Sequence, residues 1–174
     1  MRSDYCIART GGSLPGVSSL RHEHLVRIND PANVVGGWLT REQLWEALRQ
    51  TILAPKSCDA SIDAAVIREL EPNRLEREIR RGRATMIDCV ELSKDERLTI
   101  HADRMSVFAG SSLTIQIEEP APGMLFVRFI YELHGLEADR TEEEDQARRS
   151  AYQQSDIERV RQARKFAHAD EARH

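Results

Sequence analysis

The 174-residue sequence lacks most features that mark a specialised class of protein. Its N-terminus holds no long apolar run, so neither a signal peptide nor a membrane anchor is expected, and a cytoplasmic location without a membrane partner follows. Only three cysteines occur, Cys6, Cys58 and Cys89, far apart and without a CxxC or His/Cys spacing. That pattern excludes a zinc cluster and suits reduced thiols. The acidic neighbour Asp88 disfavours a thiolate at Cys89, which speaks against a catalytic cysteine. No charge of one sign dominates. The net charge is −4 with both signs mixed along the chain, so a nucleic-acid partner is not expected. Neither a glycine-rich phosphate loop nor a GxSxG elbow is present, and no cofactor or metal is indicated.

What the chain does have is enough apolar residue, 40%, to bury one sizeable core. Its length suits one domain with tails. Residues 1–17, rich in Gly and Ser and lacking any period, read as a flexible arm. The domain is expected over 18–168, with 169–174 as a tail. "SLRHEHLVRI" (19–28) alternates as a strand and stops at Asn29-Asp30-Pro31, a turn signal. Thr40 with Gln43 forms a capping box, and Leu39 can staple onto Leu44. Leu44, Leu48 and Ile52 then recur at helical spacing until Pro55, so a short helix is secure.

From Cys58 to Leu133 the period changes to two. Short β-branched or aromatic runs such as "TMIDCVEL", "SLTIQIE" and "LFVRFIYEL" alternate with turn chemistry at Pro72-Asn73, Gly82-Arg83, Lys94-Asp95 and 120–123. Connections this short force antiparallel neighbours, hence a meander. Leu125, Val127, Phe129, Tyr131 and Leu133 make one face wholly apolar, and that face needs a cover. Residues 141–168 supply it. Thr141 and Glu144 cap a helix uninterrupted by Pro or Gly, with a stripe of Tyr152, Val160, Ala163 and Ala167, edged by Ile157 and Phe166. The expected fold class is α+β: a helix-grip fold, with a curved antiparallel β-sheet wrapped around a long C-terminal helix and a short helix after the first strand.

The motifs "INDP…LTREQLWEAL" (28–48), "LEREI" (75–79), "SSLTIQIEE" (111–119), "LFVRFIYE" (125–132) and "AYQQSDIERVRQAR" (151–164) appear in this order. Together the chain resembles the START-like, or SRPBCC, superfamily, and within it the AtaL-like branch. Ile87 and Cys89 stand where that branch would have more polar residues. The resemblance implies a hydrophobic or amphipathic small molecule held between sheet and helix. A homodimer is left open.

The charged residues that intrude on the apolar face are the candidates for chemistry. A two-residue loop at Gly82-Arg83 sets Arg77 opposite Asp88, both on the inward side, and Asp156 falls within the helical stripe. The three are expected to converge beneath the long helix, either as a structural ion-pair network or as the polar end of a pocket. The expected ligand-lining set is Arg77, Ile79, Asp88, Val90, Ile100, Ile115, Phe129, Tyr131, Tyr152, Asp156 and Val160. In an enzyme of polyketide-cyclase or dehydratase type, Arg77, Asp88 and Asp156 would be the catalytic candidates. A carrier without strong catalysis, or an interaction module using the outer sheet face, are the other readings. His22 and His24 share a strand face without a third metal ligand and are expected to be exposed, while Trp38 and Trp45 are expected in the core.

Overall fold

The computed structural model of the protein describes residues 18–32, 37–102, 110–136 and 141–171. The arm expected over 1–17 lies outside the described residues. Strand β1 (Ser18–Arg27) leads to helix α1 (Arg41–Leu53). Strands β2 (Ala64–Glu71), β3 (Arg74–Arg81), β4 (Ala84–Ser93), β5 (Arg97–Ala102), β6 (Gly110–Glu118) and β7 (Phe126–Leu136) follow, then helix α2 (Glu142–Glu171). The tail expected from residue 169 is helical to Glu171, since no breaker stops the helix earlier.

All seven strands form one antiparallel sheet in the order β1-β7-β6-β5-β4-β3-β2. β2 to β7 make the expected meander, and β1 closes it by pairing with the last strand. The sheet is curved, and with the two helices it makes the helix-grip α+β fold. The Gly82-Arg83 loop sets the β3–β4 register. Glycine takes a positive φ of 56° in the first turn position, and Arg77 lies opposite Asp88 as the turn geometry requires.

The concave face is apolar because alternation delivers one residue in two to it. Val90, Leu98, Ile115, Val127 and Phe129 are completely buried there. α1 adds Leu44, Leu48 and Ile52, spaced by four, and all three join the same core. Each fully buried side chain of this kind contributes roughly 1.5–3 kcal/mol by leaving water. Both helices start at working capping boxes. Gln43 N donates to Thr40 Oγ1 at 3.2 Å and Thr40 N to Gln43 Oε1 at 2.8 Å. Thr141 and Glu144 repeat the exchange at 3.2 and 3.0 Å. Trp45 is in the core as expected, but Trp38 is 54% exposed. Its indole lies against Gly123, where a Cβ would come within 3.1 Å of the ring, so it covers a turn instead of filling the interior. Ile157 faces outward as well. Cys58 is free. No helix among the described residues is long and apolar enough to cross a membrane.

Tertiary polar contacts seat α2. Arg159 Nη1 donates to the buried Thr51 hydroxyl of α1 at 3.3 Å. Arg164 donates to the carbonyls of Ile28 and Gly37. At the turn after β1, buried Asn29 works as a clamp. Its amide nitrogen donates to the Leu39 and Gly123 carbonyls at 2.8 and 2.9 Å, and its oxygen accepts from Leu39 N at 3.1 Å. Replacing Asn29 by alanine strands these backbone groups and should destabilise the fold by about 2–3 kcal/mol in urea titration. A midpoint equal to wild type would show that water replaces the clamp.

Candidate functional site

The inward row of β1 is Leu20, His22, His24 and Val26, and it lies beside the inward row of β7. His22 pairs with Tyr131, and His24 with Phe129. From above, α2 lowers Tyr152 and Asp156 onto this seam. The Tyr131 and Tyr152 rings stack nearly parallel, with centroids 3.9 Å apart and 5° between planes. The His22 ring is 6.3 Å from Tyr131 and 6.1 Å from Tyr152. The Tyr131 hydroxyl donates to Asp156 Oδ1 at 2.5 Å, and His24 Nδ1 lies 3.3 Å from Oδ2. Asp156 has no exposed surface, so its two oxygens are held by partners rather than by solvent.

The electrostatics follow from burial. Desolvation pushes the Asp156 carboxyl up from its ordinary 3.8 to about 6, although the Tyr131 and His24 hydrogen bonds and the Arg159 charge pull the other way. Burial and the adjacent Asp156 charge drive the Tyr131 phenol well above its usual range. Burial, with Arg149 and His24 nearby, lowers the His22 imidazole.

Strand parity sets Arg77 opposite Asp88 as expected, and Asp156 is buried on the covered side of α2 as its stripe requires, but it is bonded to other partners. Arg77 grips Asp88 through two parallel bonds, Nε to Oδ1 and Nη2 to Oδ2, each 2.8 Å. Its remaining Nη1 lies 3.4 Å from the Ile52 carbonyl at the C-terminal turn of α1. This pair therefore lies under α1, while Asp156 is bonded to side chains of β1 and β7. The expected convergence of all three does not occur. Parity fixes which face a residue takes but not where along a curved sheet it stands. β4 is three strands from β7 in the sheet order, roughly 14 Å at the usual strand spacing.

Ile79, Val90, Ile100, Ile115, Phe129 and Val160 all point inward as expected, and all are buried. Val90, Ile115 and Phe129 are closed off completely or to within 1% of their surface, whereas Tyr131, Tyr152 and Leu113 remain half-buried. His22 and His24 are not exposed strand histidines. His22 is buried and His24 is only 21% exposed. The signal was present, since both share the parity of Leu20 and Val26, which belongs to the covered face. Among the described residues, no group of three or more His, Cys, Asp or Glu is arranged to hold a metal ion.

Because Asp156 binds its proton more tightly when folded, the unfolded chain releases it first as pH rises. Its contribution to stability is therefore full below about pH 4 and should fall by up to about 3 kcal/mol as pH rises to about 6. Asp156→Asn should flatten this part of the stability–pH curve. An unchanged slope would show that Asp156 titrates normally. Arg77→Met leaves Asp88 buried and unpaired and should cost about 3–5 kcal/mol. A cycle combining it with Asp156→Asn should give a coupling below about 0.5 kcal/mol, since the two share no partner. A larger coupling would mean that the two polar groups communicate.

Comparison with known proteins places this geometry. No curated protein matches the sequence. Among solved structures, the chain is similar to the di-domain ARO/CYC StfQ from the steffimycin biosynthetic pathway, with a TM-score of 0.63 and 10% identity over 90% of this chain. It spans about half of that longer protein, 52%. It is also similar to Ara h 8.0201, with a TM-score of 0.58 and 10% identity, covering 88% of this chain and 99% of that one. The Zhui aromatase/cyclase from Streptomyces sp. R1128 gives a TM-score of 0.54 at 9% identity, covering 87% and 94%. At such identities these likenesses establish the fold. The family model described as acetylaranotin biosynthesis cluster protein L matches residues 26–170, most of the chain, and the chain belongs to this AtaL family, of SRPBCC type.

Proposed function

We propose that the protein binds a hydrophobic or amphipathic small molecule in a cavity between the sheet and the N-terminal half of α2. The observation that carries this reading is how burial is distributed over the concave face. At the end shared with α1, inward side chains such as Leu98, Val127 and Phe129 are packed against one another without accessible surface. On β6 and β7, Leu113 and its cross-strand partner Tyr131 keep part of theirs, as does Tyr152 in the first half of α2, beside a small polar group. A largely apolar wall with few polar groups is what a small-molecule site requires. The AtaL family membership and the helix-grip fold support the same reading.

Acid–base catalysis in the same cavity, of polyketide-cyclase or dehydratase type, is the second reading, and Asp156 favours it. A carboxyl held at about 6 and bonded to a phenol is poised to exchange a proton near neutrality. In this reading Arg77 and Asp88 hold the framework, since the guanidinium occupies both carboxylate oxygens. StfQ and Zhui are described as ARO/CYC proteins, which agrees with such a role without specifying a substrate.

An environment-sensitive apolar dye should bind saturably, and Leu113→Trp should weaken uptake about tenfold with little change in thermal midpoint. Absence of saturable binding would remove the proposal. Native mass spectrometry of freshly purified protein should reveal a retained ligand. If catalysis occurs, turnover should depend on Asp156 and on pH near 6; ligand retained without turnover leaves the binding role alone.

A further inference from the structure

We propose that His22 is the specificity-determining residue of this cavity, giving a hydrogen bond to an uncharged hydroxyl group carried on an apolar ligand. The inference deepens the ligand-binding reading and rests on it.

His22 is 9% exposed, yet its Nε2 has no hydrogen-bond partner among the described residues. Buried polar atoms in folded proteins are nearly always paired, so an unpaired one on a candidate binding face calls for an occupant. The neighbouring groups do not supply it. The Tyr131 hydroxyl is given to Asp156, and His24 Nδ1 lies against the other oxygen of the same carboxylate. The His22 ring is set by the β1–β7 register and flanked by the stacked pair Tyr131 and Tyr152, so it is fixed in place.

The surroundings select the chemistry of the occupant. A ligand cation would meet Arg149 near His22 and Arg159 near Asp156. A ligand anion would be attracted by these arginines but would have to shed its hydration beside the Asp156 carboxylate, in a place where burial already disfavours charge. A neutral imidazole nitrogen donates or accepts according to its tautomer, and a hydroxyl can answer either. An alcohol or phenol on an apolar body therefore fits where a carboxylate or amine does not.

Two ligands of matched shape, 2-naphthol and 2-methylnaphthalene, test this by displacing the bound dye from the full-length protein. His22→Phe keeps a planar ring and removes the nitrogen. It should lower the affinity ratio of 2-naphthol to 2-methylnaphthalene about five- to tenfold, with 2-methylnaphthalene itself little affected. His22→Gln, which keeps a polar group at similar reach, should restore much of the ratio and guards against a merely structural effect. A ratio unchanged within twofold in His22→Phe would overturn the inference and leave the binding reading intact, with a buried water as the partner of Nε2. Failure of either compound to displace the dye would remove this inference together with the ligand class it assumes.

Discussion

The ladder between β1 and β7 joins the two ends of the fold, and the candidate site is assembled on it. Every other strand neighbour in the sheet is also a sequence neighbour. The β1–β7 pairing alone brings His22 and His24 alongside Tyr131 and Phe129. It also carries the chain to Asn29, whose three hydrogen bonds tie the strand end to α1 and to the turn before β7. Without this ladder, Asp156 could keep at most one of its two partners, because one stands on each strand.

Two of the buried carboxylates, Asp88 and Asp156, are kept in opposite conditions. Asp88 is neutralised by a guanidinium in a two-bond grip that engages both of its oxygens and leaves it little freedom to move. Asp156 receives a phenol and an imidazole instead, neither a fixed positive charge. Desolvation therefore outweighs hydrogen bonding there, and its proton affinity rises. Similar side chains on one apolar surface thus serve different ends. One braces α1 against the sheet, and the other remains able to change protonation.

The sequence patterns carried the fold further than they carried the site. Capping boxes at Thr40 and Thr141, turns at Gly82 and 120–123, and period-two runs are local signals, and the elements they predicted are present. The Arg77–Asp88 pair was legible for the same reason, since a two-residue loop fixes a register. Asp156 was misassigned because its partners depend on how far a helix has travelled across a curved sheet, which no local pattern encodes. His22 and His24 were misread by residue type. Their alternation with Leu20 places them on the covered face despite their polarity. Arg159 and Arg164 reach Thr51 and the loop after β1, contacts that no local pattern announces.

The closing of the sheet by its first and last strands also has a kinetic consequence. β1 is synthesised first, yet its one hydrogen-bonding neighbour is made last among the strands, so its edge must wait unpaired while the meander forms. Pairings of such high sequence separation carry a large loop-closure entropy and slow the folding transition. Docking of α2 onto β1 comes later still along the chain. The end of the protein that carries the candidate site is thus the last to be completed during synthesis, and the core at α1 and β2 to β6 is in position to form before it.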